Sequence, residues 1–218
     1  NIYVLESPIL SNSQFEKFTV FFKDSLKVLD CTFDVQTNLK KRLDQLCSEA
    51  EIAVREGCKH LILSDKKISE KKAAIPMILA FGAINSKLVN LGIRGFASIN
   101  VQTGEVLDTH SFAVLLGIGA TIINPYLVFD SIYQRYEKKL FGKLSYEECI
   151  QRYIKSVDNG LLKIMSKMGI SVLSSYRGGC NFEALGLSRA IVSEYFPGMI
   201  SRISGIGIHG IEKKVKAL

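Results

Sequence analysis

Short apolar runs suited to buried strands alternate along this chain with longer stretches whose apolar residues recur every three or four positions. The most apolar stretch runs from Thr109 to Leu127. Residues 111–118 predict two helical turns, Gly119 a stop, Thr121 to Ile123 a buried strand, and Asn124-Pro125 a turn. A helix that passes straight into a buried strand is the mark of a βα-repeat protein. The polar groups at its ends, His110 and the Asn124-Pro125-Tyr126 turn, are the first candidates for a role other than packing.

The same alternation extends in both directions. Tyr3 to Leu10 is expected to be extended, because Pro8 keeps Ser7 out of the helical region. Asn12 or Ser13 can cap a helix with Phe15, Phe18, Phe22 and Leu26 on one face, and Lys27 to Phe33 reads as a strand. Thr37 or Asn38 caps the next helix, which carries a stripe of Leu39, Leu43, Leu46, Ala50 and Ala53 and stops at Gly57. His60 to Leu63 is a strand ending in Ser64-Asp65. A helix from about Pro76 stops at Gly92, and a strand near Phe96 to Val101 closes with Gln102-Thr103-Gly104-Glu105. Tyr126 to Leu140 is helical, and Ser145 with Glu148 makes a capping box for a long helix or helix pair ending near Gly169. Ile170 to Leu173 reads as one more strand, opening onto Ser174-Ser175-Tyr176-Arg177-Gly178-Gly179.

About five strands separated by crossover-length helices predict an α/β fold of parallel βα repeats, either an open sheet or an incomplete TIM-type barrel. The expected organisation is an arm and helix over residues 1–25, a βα core over 26–175, and C-terminal helices with a Gly-rich tail over 176–218. Ligands of such folds meet the carboxyl ends of the strands. Those ends are Ser64-Asp65, Gln102-Thr103, Asn124-Pro125-Tyr126 and Ser175-Tyr176-Arg177.

With 218 residues and 47% hydrophobic content, the chain can bury a large single core. Its longest uncharged runs, 73–86 and 111–129, are broken by Gly, Pro or Asn, short of the roughly 20 apolar residues a spanning helix needs. No membrane segment is expected. The first residues lack a starting Met, a basic region and an apolar secretion core, so the chain is expected to be cut from something longer. Cys31, Cys47, Cys58, Cys149 and Cys180 are odd in number, irregularly spaced and without a Cys-x-x-Cys, which points to a reducing compartment, taken to be the cytoplasm. Cys180, beside a glycine pair, is the one thiol placed like an exposed nucleophile; buried free cysteine is the commoner case. The net charge of +7 comes from scattered pairs such as Lys66-Lys67 and Lys138-Lys139, without the interleaved aromatics of a nucleic-acid surface. Solvated faces are the expectation, and nucleic acid is not an expected partner.

Candidate chemistry is sparse. Gly205-Ile206-Gly207-Ile208-His209-Gly210 matches the dinucleotide fingerprint in letters, but only eight residues follow it, so it reads as a mobile turn. Asp108, His110 and Ser111 are triad residue types too close in sequence to act as one. The three histidines lie far apart, and no metal site is expected. Tyr176-Arg177-Gly178-Gly179 has two readings: a phosphate held by the guanidinium and the turn's backbone amides, or an Arg177–Glu183 pair that pins the last helices.

A series of longer words then narrows the field: Leu5-Glu6-Ser7-Pro8-Ile9-Leu10, Leu61-Ile62-Leu63-Ser64-Asp65, Ala74-Ile75-Pro76, His110-Ser111-Phe112-Ala113, Asn124-Pro125-Tyr126-Leu127, Met165-Ser166-Lys167-Met168-Gly169-Ile170-Ser171, Ser175-Tyr176-Arg177-Gly178 and Phe182-Glu183-Ala184. In this order they resemble the central domain of the large subunit of glutamate synthase, over nearly the whole chain. The family commonly has a second histidine where Ser111 stands, Gly-Ala-Gln where Gly178-Gly179-Cys180 stands, and Gly-Tyr-Gly-Ala where Gly117-Ile118-Gly119-Ala120 stands.

The resemblance implies a parent enzyme that makes glutamate from glutamine and 2-oxoglutarate. It implies as partners the glutamine amidotransferase and FMN-binding domains of the same chain, and through the parent a small electron-donating subunit or ferredoxin. FMN and an iron-sulfur cluster are expected in the parent and no cofactor in this chain. The central domain would be non-catalytic, joining its neighbours and helping to form the ammonia passage, with Ser64, Asp65, His110, Asn124, Tyr126, Tyr176 and Arg177 as interdomain or passage-lining candidates. Two other classes remain: a stand-alone flavin or phosphate-binding barrel enzyme, which stoichiometric quenching of FMN fluorescence would favour, and a basic nucleic-acid-binding module, which steep salt dependence of retention would favour.

Overall fold

The computed structural model describes residues 3–217. The N-terminal arm leads into helix α1 (Asn12–Phe21), capped by Ser11, which is preferred over Asn12 or Ser13 because Gln14 returns a bond to the Ser11 backbone and completes a capping box. Strand β1 (Leu26–Asp30) follows, then β2 (Thr32–Asp34), α2 (Leu39–Arg55), β3 (His60–Ser64), β4 (Lys72–Ala74), α3 (Met77–Asn90), β5 (Ser98–Gln102), α4 (Thr109–Gly117) and β6 (Ile123–Asn124). Helices α5 (Tyr126–Glu137), α6 (Tyr146–Lys167) and α7 (Leu173–Tyr176) precede β7 (Glu183–Leu187), α8 (Arg189–Tyr195), β8 (Ile200–Ile206) and α9 (Ile208–Lys216).

The architecture is α/β, built on a four-stranded parallel sheet in the order β1-β3-β5-β6. Strands follow one another in space as they do in the chain, which is the winding of a barrel cut open. The order never reverses, so the sheet has no switch-point crevice of the doubly wound kind. Alternation assigns its faces. Leu29, Leu61, Leu63, Ile99, Val101 and Ile123 meet the helices, including the fully buried α2 stripe of Leu39, Leu43, Leu46 and Ala50. Ile62 and Ile122 point the other way and are covered by Leu10, Phe15 and Phe18. The arm completes that cover: Ile123 N donates to Pro8 O at 2.8 Å and Leu10 N to Ile123 O at 3.0 Å, so residues 8–10 run along the free edge of β6.

Where the structure departs from expectation, a specific contact is responsible. The strand expected over 27–33 breaks at Cys31, because the Asp30 carboxylate accepts bonds from the Thr32 amide (3.1 Å) and hydroxyl (2.7 Å) and turns the chain out of the sheet. Beyond the turn, β2 pairs antiparallel with β4. The strand expected near Phe96 starts later, at Ser98, after a tight turn over Arg94–Phe96. No strand forms at 170–173. Gly169, at φ +71°, caps α6, Ile170 N returns to Met165 O at 2.9 Å, and the β6 edge where such a strand would pair is taken by the arm. The tail expected as helices and turns contains the parallel pair β7–β8, bridged by α8. Gly205 serves that pairing, since a Cβ on it would stand 2.1 Å from Gly186 O.

That distance separates two kinds of glycine. Gly205→Ala is expected to push β7 and β8 apart and abolish hydrogen-exchange protection of their amides. Gly92→Ala, at φ +70° with open space around it, is expected to cost about 1–2 kcal/mol of backbone strain and leave that protection in place. Equal protection of β7–β8 in both variants would contradict this.

Candidate functional site

The register of the sheet places Asp30, Ser64, Gln102 and Asn124 in one row across its carboxyl edge. Their side chains are linked: Ser64 Oγ donates to Gln102 Oε1 (2.9 Å), and Gln102 Nε2 to Asn124 Oδ1 (3.1 Å). Asn124 Nδ2 donates to Leu10 O (3.0 Å) and Asn12 Oδ1 (3.0 Å). Asn124 thus uses both amide hydrogens and its carbonyl, and what it holds is the N-terminal arm. Asp30 closes the row with its turn bonds and with Lys67 (3.6 Å) and Lys72 (3.8 Å).

Just beyond the strand ends, the buried Asp65 carboxylate accepts from Thr103 Oγ1 (2.5 Å) and the Gly104 amide (3.1 Å). Burial pushes its pKa up, and these donors together with the Tyr126 hydroxyl partly oppose the shift. Burial and the Asp65 charge likewise push the Tyr126 phenol up. Glu105 accepts from the Met77 amide (2.8 Å), serving the start of α3, where Pro76 offers no side-chain cap. Ser64, Asp65, Asn124 and Tyr126 therefore come together, joined by Gln102 and Thr103, which the strand ends named without making them site candidates, and by Glu105 beside them.

The remaining candidates lie elsewhere. His110 is exposed on α4, its ring edge-on to Phe182 at 6.2 Å. Asp108 caps α4 through the Ser111 amide (2.9 Å) and hydroxyl (2.6 Å), which accounts for those neighbours without a triad. Tyr176 is buried and donates to Ala113 O at 3.2 Å. Arg177 does not end a strand. It shares a cavity wall with Ala97, Ser98 and Gly119, beside the amino ends of β5 and β6. The Arg177–Glu183 pair is absent, because Glu183 faces Arg202 at 3.6 Å. The turn's amides are not free for phosphate either: Gly178 N donates to Gly117 O (2.7 Å) and Gly179 N to Tyr176 O (3.4 Å).

The fingerprint-like glycines are also accounted for. They do not form the expected mobile turn but join β8 to α9, with Gly205 spent on strand pairing. Among the described residues, no group of three or more His, Cys, Asp or Glu could hold a metal ion. The cysteines are free and dispersed, so this donor set does not fit an iron-sulfur cluster. Burial pushes the Cys47 thiol up to about 11 and the Cys31 thiol higher still, which makes both poor nucleophiles at neutral pH.

The family model for the glutamate synthase central domain matches residues 1–188. The chain belongs to that family. It is 51% identical over 214 residues to the large chain of glutamate synthase [NADPH] of Azospirillum brasilense, covering 97% of this chain and 14% of that protein. To the same-named chain of Bacillus subtilis it is 39% identical, with the same coverage. To the chloroplastic ferredoxin-dependent glutamate synthase of Oryza sativa it is 41% identical over 217 residues, 93% of this chain and 13% of that protein. This central domain thus spans about a seventh of the length of these curated relatives.

Asp65 gives a pH test. Because its folded pKa is raised, the folded state holds the proton more tightly than the unfolded chain. Stability contributed here is present below the ordinary aspartate value near 3.9 and is lost as pH rises through the folded value. Asp65→Asn is expected to flatten that part of the decline in urea midpoints measured from pH 3.5 upward. A wild-type slope in the variant would show that Asp65 is not its source. Asn124→Ala is expected to cost about 1–3 kcal/mol and to expose residues 8–10 to proteolysis; an arm as resistant as the wild type would contradict its role as the tie.

Proposed function

We propose that this chain is a non-catalytic joining domain of a glutamate synthase, set between a glutamine amidotransferase domain and an FMN-binding domain and helping to wall the passage for ammonia. The observation that carries the reading is its match to the glutamate synthase central domain together with its coverage of only 13–14% of relatives named as glutamate synthases. The exposed apolar surface supports it. Leu185 and Ile203 on β7 and β8 are each 63% exposed and Phe96 is 71% exposed, although parallel strands are normally covered on both faces. Within this reading, FMN and the iron-sulfur cluster belong to other parts of the polypeptide, where glutamine and 2-oxoglutarate become glutamate. Electrons would come from a pyridine-nucleotide-linked subunit or from ferredoxin, the two donors in the relatives' names.

No helix among the described residues is long and apolar enough to cross a membrane. The five free cysteines fit a reducing compartment, which we take to be the cytoplasm.

Ser64, Asp65, Asn124 and Tyr176 would act in this role by holding the arm and core in shape. His110, Tyr126 and Arg177 have exposure enough to meet a neighbour. In the full-length polypeptide, His110→Ala and Tyr126→Phe are expected to lower glutamine-dependent glutamate formation several-fold while free ammonia still supports it, so that glutamine hydrolysis and glutamate formation fall out of step. Unchanged coupling in both variants would remove these residues from the passage.

A further inference from the structure

Arg177 presents a guanidinium that no described residue engages. Its side chain has no hydrogen-bond or ion-pair partner among the described residues, and its Nε is shut away from solvent without an acceptor. The nearest expected carboxylate, Glu183, is engaged by Arg202.

The side chain faces an open cavity of about 700 Å³, which it lines together with Arg94, Asn85, Ser98, Gly119 and Thr121. Arg94 is firmly seated there: its Nε donates to Asn85 Oδ1 (2.7 Å), Nη1 to Ala97 O (2.7 Å) and Nη2 to Gly119 O (3.3 Å). Each Nη keeps a second hydrogen, so the group is fixed in place with donors to spare. Among the described residues no Asp or Glu lines the cavity, and the charged side chains in its wall are these two guanidinium groups. Burial and the charge of Arg177 both push the Arg94 pKa below its usual range, which agrees with two like charges close together.

Two half-buried cations close together are unfavourable, and the buried Arg177 Nε adds the cost of a charged donor left unsatisfied. An oxyanion relieves both the repulsion and the unsatisfied donor at once, since guanidinium forks match pairs of carboxylate or phosphate oxygens.

We propose that Arg94 and Arg177 form a binding site for a small oxyanion of the phosphate or carboxylate class, in the cleft at the amino ends of β5 and β6. The oxyanion is either free in solution or a carboxylate borne by another part of the same polypeptide. Arg177 is the adjustable half of the site and Arg94 the fixed half. This goes beyond the joining role; the free-anion source does not depend on it, while the carboxylate source rests on the chain being part of a longer polypeptide.

The test uses the full-length polypeptide with Arg177→Met, which keeps an apolar stem, and Arg177→Lys, which keeps the charge. Radiolabelled inorganic phosphate is measured by equilibrium dialysis, and the thermal midpoint is followed with and without phosphate. For a free anion, the wild type binds one more phosphate per chain than Arg177→Met, Arg177→Lys binds it at least tenfold more weakly, and phosphate raises the wild-type midpoint more than that of Arg177→Met. For a carboxylate of the same polypeptide, phosphate binding is equal in all three, but Arg177→Met unfolds at a lower temperature and Arg177→Lys recovers part of the loss. With no anion present, removing one of two repelling charges stabilises the fold. Equal phosphate binding with an unchanged or raised midpoint in Arg177→Met therefore overturns the proposal.

Discussion

A parallel sheet presents two apolar faces, and both must be kept from water. Here the crossover helices cover one face with the side chains that the repeat pattern supplies. The other face, which a complete barrel would fill with its own remaining strands, is closed by the aromatic side of α1 and by the arm before it. His60 shows how close that cover is: its ring lies 4.0 Å from the Phe22 ring centre and its Nδ1 is 2.8 Å from Ser98 Oγ, with burial holding its pKa below the usual histidine value. The arm stays in place because backbone pairing of Pro8 and Leu10 with Ile123 and the Asn124 carboxamide's bonds to Leu10 O and Asn12 Oδ1 act on one short stretch and meet at Leu10. The polar row at the strand ends is in this sense part of the closure and not an open site.

This explains why reasoning from strand ends brought out residues whose bonding turns out to be internal. In a barrel enzyme that edge is where chemistry gathers. Ser64, Asp65 and Asn124 do gather there, but their hydrogen-bonding capacity is met by Gln102, Thr103, Gly104 and the arm. Nothing local in the sequence says that Asn124 will reach Leu10. By contrast, helix limits were legible because their causes are local: the Ser145–Glu148 capping box, the Asn38 cap, and the left-handed glycines 57, 92 and 169.

Two of the misread segments are decided by residues distant in sequence, whereas the breaks at Cys31 and before Ser98 come from local turns. Ile170 to Leu173 has strand composition, yet the edge it needed belongs to residues 8–10. Gly205 looks like a loop former until the two strands approach so closely that a methyl group there has no room against the Gly186 backbone, while Gly186 itself has open space and a φ of +76°. Arg94 gave no signal at all, being a single arginine before a strand, and only the fold brings it to Arg177. The family itself was legible from the chain's longer words, which specify more than the periodicity of a βα repeat requires.

The strand-end polar groups are internally satisfied, while apolar residues remain exposed on the β7–β8 pair and beside β5, where the proposed joining role requires neighbours to cover them. The most direct measurement is hydroxyl-radical footprinting of the full-length polypeptide, reading modification at Phe96, Leu185 and Ile203. A domain packed between neighbours leaves all three protected, at rates far below those of exposed side chains such as Leu140 and Leu162 in the same sample. Modification of all three at those exposed rates would show that no neighbour covers them and would contradict the joining role.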